Sequence, residues 1–210
     1  MQKGKFIVFE GIDGSGKSTQ LKLLAARLRK KMITVYETAE PTGGPIGLLV
    51  RRILKGQIEC VDPAMAALFA ADRIQHLMEQ PNGLIRQAEE GVTVICDRYY
   101  FSSYAYHSVN APMEWVIGTN SLSAQMMKPD LNLFIDAPVD LCFKRINAAR
   151  EQSEIYEGIA NLTLVREKYF EAFARLRHTE KICILDGSAP AEAVAEAVWQ
   201  AVRRLFETAE

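Results

Sequence analysis

The stretch "FEGIDGSGKSTQ", Phe9–Gln20, decides the reading of the fold. Gly11, Gly14 and Gly16 fall within it, followed at once by a lysine and two hydroxyl residues, directly after an apolar run. Glycine at that density destabilises ordinary structure, so something must compensate. The stretch fits G-x-x-x-x-G-K-[ST] at Gly11, Gly16, Lys17 and Ser18, with a strand pattern before it and a helical pattern after it. The glycines let the backbone turn tightly and aim its N–H groups inward as an anion nest. The helix starting near Lys17 adds the positive end of its dipole. Lys17 supplies a point charge to terminal phosphates, and the Ser18 hydroxyl suits Mg²⁺. Bound phosphates compensate for the strained loop, so the chain is read as binding a nucleoside triphosphate.

Working outward, short apolar runs alternate with longer helical patterns. Strands are expected at Phe6–Phe9, Thr34–Tyr36, Val92–Cys96, Leu131–Ile135 and Ile182–Leu185. Several are apolar nearly throughout, which suits strands covered on both faces of a parallel sheet. Lys17–Lys31 carries Leu21, Leu24, Ala25 and Leu28 at helical spacing, and Ala64–Met78, Met113–Met127 and Ala191–Phe206 are also expected as helices. Strands alternating with helices give βαβ units and a doubly wound α/β fold. No repeat or linker interrupts the chain, so 1–210 is read as one domain. The polar run "RINAAREQSEIYEG", Arg145–Gly158, is expected as an exposed excursion, either a solvated helix end or a lid.

Composition narrows the classes. The 210 residues are 49% hydrophobic and 24% charged, with a formal net charge of −1, so no global basic field favours a nucleic-acid backbone. No apolar run is long enough to span a bilayer. The apolar part of "MQKGKFIVFEG" is too short for a signal peptide, which makes a cytosolic location the default. Cys60, Cys96, Cys142 and Cys183 form no CxxC pair and do not have the spacing of a zinc site.

Ligands of open α/β sheets sit outside the carboxyl ends of the strands. After the third strand comes "DRYYFSSYAYH", Asp97–His107. Asp97 can hold Mg²⁺ and Arg98 can fork onto a phosphate, or the two can form a surface ion pair. Tyr99, Tyr100, Phe101 and Tyr104 are read as core. After the second strand, Glu40-Pro41 either faces an acceptor or caps the helix near Pro45. In "ALFAADRIQH", Phe69 and Arg73 share a helical face and could sandwich a base. The plainer alternative puts Phe69 in the core and pairs Arg73 with an acid.

Together, "FEGIDGSGKSTQ", "EPTGGPIG", "LFAADRIQH", "DRYYFSSYAY", "KPDLNLFIDAPVDLCFKRI" and "ILDGS" resemble thymidylate kinases, from Lys5 to about Val202. The resemblance implies a P-loop NTPase-type doubly wound five-stranded parallel sheet flanked by helices, with a short lid at about 145–158. It implies transfer of a phosphoryl group from ATP to dTMP, Mg²⁺, and a homodimer. The loop residues Gly11, Asp13, Gly14, Ser15, Gly16, Lys17, Ser18 and Thr19 would take ATP, with Arg145 and Ser188 near its outer part. Asp13, Glu40, Phe69, Arg73, Arg98, Ser103 and Tyr106 would take dTMP. Phe69 would stack on the base, Arg73 would bond its edge, and Tyr106 would crowd a 2′-hydroxyl. Ser18 and Asp97 would hold the metal. Lys17, Arg98, Asp13 and a lid arginine would be catalytic. Where some relatives carry an arginine in the loop, this chain has Gly14, so the lid must supply it. Arg150 is the first choice and Arg145 the reserve. The lid itself reads Glu154-Ile155-Tyr156-Glu157, with no arginine in that run. His107 stands where glutamine is common and is read as structural variation.

Three alternatives stand beside this reading. A deoxynucleoside kinase would need a base for a sugar hydroxyl, a role open to Glu40. Asp97-Arg98-Tyr99 stands where such enzymes usually have Glu-Arg-Ser, which favours the monophosphate acceptor. A GTPase would need Asn-Lys-x-Asp, which is lacking. A non-catalytic nucleotide-binding module would leave a complete set of site residues idle.

Overall fold

The computed structural model describes residues 3–149 and 158–207. Five strands form one parallel sheet: β1 (Phe6–Glu10), β2 (Val35–Ala39), β3 (Thr93–Asp97), β4 (Leu131–Asp136) and β5 (Ile182–Asp186), in the order β2-β3-β1-β4-β5. β1 is central, with Val8 opposite Cys96 on one side and Asn132 on the other. The connection from β1 runs past β3 to β2, and that from β3 runs across β1 to β4, so the strand order switches direction at β1, at whose carboxyl end the glycine loop begins.

Helices cover both faces. They are α1 (Lys17–Lys30), α2 (Pro45–Leu54), α3 (Asp62–Met78), α4 (Leu84–Glu89), α5 (Tyr100–His107), α6 (Met113–Thr119), α7 (Ser121–Met126), α8 (Val139–Ala149), α9 (Ile159–Leu176) and α10 (Ala191–Val202). The alternation of β1 divides the core. Ile7 and Phe9 pack with Leu21, Leu24 and Leu28 of α1 and Val194 and Val198 of α10. Phe6 and Val8 face the other way, against Tyr99, Phe101, Tyr169 and Phe173 of the α5–α9 side. Each such side chain contributes about 1.5–3 kcal/mol over exposure. A satellite core of Val50, Ile53 and Met65 joins α2 to α3 and stands beside the cleft.

The sheet and its flanking helices agree with expectation, with four local corrections. β2 runs over Val35–Ala39, beyond the expected Thr34–Tyr36, because it is an edge strand whose polar Glu37 and Thr38 find partners in Arg29 and His76. The helix expected over Met113–Met127 breaks into α6 and α7 at Asn120, whose buried amide donates to the Val116 carbonyl at 2.8 Å. α10 ends at Val202, and a short 3-10 turn, Arg203–Leu205, replaces its expected last turn. The exposed excursion does not begin at Arg145. That residue lies in α8, and Ile146 next to it is 4% exposed and packed in the core. Residues 150–157 of that segment, with Arg150 and the Glu154–Glu157 run, lie outside the described residues.

Candidate active site

The glycine loop has the strained backbone that its sequence requires. Gly11, Gly14 and Gly16 have φ of 146°, 78° and 102°. A Cβ on Gly14 would stand 2.4 Å from the Cys142 carbonyl oxygen, so only glycine fits there. Lys17 opens α1, is 6% exposed, and donates from Nζ to the Ile12 carbonyl at 2.9 Å. Burial, aided by the charge of Arg98, holds its ammonium below the usual lysine range against the pull of Asp97 and Asp13.

Beside the loop, β3 ends in Asp97 and the chain turns through Arg98 at φ 74°, a left-handed conformation on a non-glycine residue. The turn aims Arg98 back across the loop. Its Nη1 donates to the Gly11 carbonyl at 3.3 Å and to Ser102 Oγ at 3.1 Å, and its Nη2 pairs with Asp13. Burial, the largest single influence, opposes the Arg98 charge, but Asp13, Tyr106, Tyr169 and Asp97 together outweigh it and hold the guanidinium well above its ordinary value. The Tyr106 hydroxyl donates to Asp13 Oδ2 at 3.0 Å.

Ser18 Oγ donates to Asp97 Oδ2, and Asp97 Oδ1 is buried without a hydrogen-bond partner among the described residues. A hydroxyl and a carboxylate with an unsatisfied oxygen, next to a phosphate nest, form a donor set that fits a hard divalent cation. No group of three or more His, Cys, Asp or Glu placed to hold a metal ion occurs among the described residues; phosphate oxygens and water would complete the shell around Ser18 and Asp97.

A pocket continues from Asp13 and Arg98 between α3 and α5, and it takes in Glu40, Phe69, Arg73, Ser103, Tyr106 and His107. Phe69 is half-buried and meets the His107 ring at 4.9 Å, tilted 55°. Arg73 is 1% exposed. Its Nε and Nη2 bind Glu40 Oε2 at 2.8 and 2.6 Å, and its Nη1 donates to Ser103 Oγ and Asn120 Oδ1. Burial, the largest single influence, opposes the Arg73 charge, but Glu40, joined by Tyr99 and Tyr104, raises it above its ordinary value. Nε and Nη1 thus donate three hydrogen bonds, and Nη2 pairs with the Glu40 carboxylate, where Arg73 lines the pocket. Glu40 caps no helix, since α2 begins at Gly44–Pro45. Its Oε1 meets His76 Nδ1 at 3.1 Å.

On the other side of the loop, Ser15, Gly16, Thr19, Gln20 and Arg145 line a second cleft with Gly187 and Ala189. Arg145 Nη1 spans the loop and the β5–α10 turn, 3.3–3.4 Å from the carbonyls of Gly14, Ser15 and Gly187. Ser188 does not line this cleft; its hydroxyl donates to Asp186 Oδ1 at 2.6 Å.

Sequence reasoning missed four residues. Asn120 and His76 complete the Arg73–Glu40 network, and His107 walls the pocket with its Nδ1 buried and unpartnered among the described residues. Glu10, fully buried at the end of β1, accepts from Tyr99 N at 2.9 Å and Ser102 Oγ at 2.6 Å, and so pins the turn that carries Arg98. Its position between an apolar strand and the glycine loop was the one available signal.

The chain matches the family model described as Thymidylate kinase over residues 9–198. It is 34% identical over 214 residues to the thymidylate kinase of Caldicellulosiruptor saccharolyticus, covering 98% of this chain and 97% of that one. It is 35% identical over 218 residues to the thymidylate kinase of Bradyrhizobium sp. (strain ORS 278), covering 97% and 92%. A match of that length runs through the glycine loop, the Arg98 turn and the pocket between α3 and α5 alike, and the chain belongs to the thymidylate kinase family.

Proposed function

We propose that the chain transfers the γ-phosphoryl group of ATP to the 5′-phosphate of dTMP, giving dTDP and ADP. The observation that carries this assignment is the continuity of the two halves of the site. Arg98 touches the glycine loop at Gly11 and Asp13 and also borders the pocket of Phe69 and Arg73. An acceptor base seated on Phe69, with its edge toward Arg73, would carry its phosphate toward Arg98. Ser103 lies beside the same edge, and the Tyr106 ring fills the space near the sugar. Gly11, Gly14, Ser15, Gly16, Ser18 and Thr19 hold the donor phosphates.

An acceptor phosphate monoester is mostly dianionic at neutral pH, its second pKa lying near about 6. It needs no general base, and the barrier lies in bringing two anions together in line. Lys17 exchanges the Ile12 carbonyl for donor phosphate oxygens. Arg98, held charged, draws the acceptor phosphate toward the loop. An acceptor oxygen bonds to the γ-phosphorus as its bond to the β–γ bridging oxygen breaks, and that oxygen leaves with ADP. Ser18 and Asp97 would hold Mg²⁺, which when bound neutralises charge on the donor phosphates. Arg145 fixes the loop against the β5–α10 turn, where Gly187 and Ala189 would border the adenine. The lid expected at about 145–158 is kept as our assignment, with Arg150, outside the described residues, as its catalytic arginine.

Glu40 is a poor base for a sugar hydroxyl. It is 4% exposed, with Arg73 on one oxygen and His76 on the other, which argues against a nucleoside kinase. We extend the proposal to a homodimer, supported by Met78, Trp115 and Leu122 exposed on α3, α6 and α7, and checked by sedimentation. We also propose a cytoplasmic location, supported by four unpaired cysteines. None of the described helices is long and apolar enough to cross a membrane.

The test is ADP release with Mg·ATP and dTMP, dUMP, UMP, CMP or thymidine. Strong turnover with dTMP and little with thymidine or UMP is expected. Turnover with thymidine alone would move the chain to the nucleoside kinases.

A further inference from the structure

Arg98 adopts a left-handed backbone that few residues tolerate, and something must over-determine it. The Arg98 N–H donates to the Phe9 carbonyl at 2.9 Å, which fixes one side of the turn. The other side rests on Glu10. Its Oε1 accepts from the Tyr99 and Ser102 N–H groups at 2.9 and 3.3 Å, so a carboxylate from β1 stands in for the missing cap of α5. Its Oε2 accepts from Ser102 Oγ at 2.6 Å and from the Tyr169 hydroxyl at 2.9 Å.

Tyr169 comes from α9, the helix that follows segment 150–157 in the chain. Both Glu10 and Tyr169 are fully buried. The one phenol oxygen lies 2.8 Å from Ser102 Oγ and 3.4 Å from the Gly11 carbonyl oxygen. The same Ser102 oxygen and the same Gly11 carbonyl receive Arg98 Nη1. The Tyr169 ring also meets the edge of Tyr106, whose hydroxyl holds Asp13. Two routes therefore run from Tyr169 to the Arg98 guanidinium, one through Ser102 and one through Tyr106 and Asp13.

We infer that the buried Glu10–Tyr169 node is a positioning element for Arg98, tying α9 to the acceptor-phosphate site. Neither residue touches the reacting atoms; both act through Arg98. The inference rests on the assignment of Arg98 to the acceptor phosphate.

The test uses the full chain with Tyr169→Phe, which keeps the ring and removes only the hydroxyl, and Glu10→Gln, which keeps one acceptor and removes the charge. Steady-state constants are measured for ATP and dTMP separately, alongside thermal denaturation. Loss of a buried hydrogen bond to a charged group predicts a rise in the KM for dTMP of about ten-fold, with the KM for ATP changed less than about two-fold. In an Arg98→Lys background, Tyr169→Phe should add almost nothing to the KM for dTMP, because the residue through which it acts has been altered. A purely structural node would lower the melting temperature and the active fraction while leaving both KM values in place. That result overturns the inference, as does an additive double variant. Should Glu10→Gln fail to fold, Tyr169→Phe and its double variant decide the matter alone. Wild-type turnover of dTMP is read in the same assay, so a failed functional assignment shows itself before any variant is compared.

Discussion

Glu40 and Arg73 form a buried ion pair across 33 residues of sequence, with Oε2 2.6 Å from Nη2 and both side chains at most 2% exposed. Such a pair adds little net stability, yet removing one partner strands a charge and costs about 3–5 kcal/mol. For a chain of this size that corresponds to a fall of roughly 6–20 °C in melting temperature. Glu40→Ala should show that fall, together with a large loss of dTMP affinity by calorimetric titration and a smaller loss of ATP affinity. A stable Glu40→Ala protein that bound dTMP normally would contradict the pocket as described.

Gly14 makes the loop intolerant of side chains. A Cβ there meets the Cys142 carbonyl oxygen at 2.4 Å on a backbone already at φ 78°. Gly14→Ala should cost about 2 kcal/mol or more and raise the KM for ATP at least about ten-fold. Gly43→Ala, with nothing within 4 Å of the added carbon, serves as the control and should behave as wild type. The same contact shows why the loop of this chain cannot carry an arginine at that place.

The legible parts of this molecule were those whose chemistry is contiguous in sequence. Phe9–Gln20 held the nest, the lysine and the hydroxyl together, and apolar runs such as Leu131–Ile135 marked the buried strands. Phe69, Arg73 and Arg98 were found as residue types but not as a network. Arg73 meets Glu40 and Asn120 only after the fold closes, and Asn120 reaches it because a helix breaks where the apolar pattern runs on. Glu10 was hidden because a carboxylate at the end of a buried strand leaves no periodic signal; its partners arrive from α5 and α9. β2 was placed too early because an edge strand need not be apolar.

Arg145 and Arg150 should separate kinetically. Arg145 is engaged by three carbonyls that join the glycine loop to Gly187, which makes it a brace on the donor side. Arg145→Ala should raise the KM for ATP and leave the KM for dTMP within about two-fold. Arg150 is assigned the role of a cation that meets charge only in the transition state, where losing one such group costs about 10²–10³ in kcat. Arg150→Ala should show that loss with both KM values little changed. Rapid-quench single turnovers that found normal chemistry in Arg150→Ala would return the role to Arg145.

His107 should make the fold acid-sensitive in a defined window. It is 4% exposed, and burial, with the charge of Arg73, lowers its imidazole from 6.5 to about 3. The folded protein therefore keeps it neutral while the unfolded chain binds a proton below about 6.5. Above that pH the difference vanishes; as pH falls from 6.5 toward 3, the unfolded state gains the proton first and stability is lost. At pH 4.5 the loss from this one residue is roughly 2–3 kcal/mol. His107→Gln removes the titrating group, so its stability should fall less between pH 7.5 and 4.5 than that of wild type, by about that amount. Urea unfolding at the two pH values measures both proteins, and the common background of titrating carboxylates cancels in the difference. Equal falls would mean that the His107 ring is protonated inside the fold, with the base pocket opening around it.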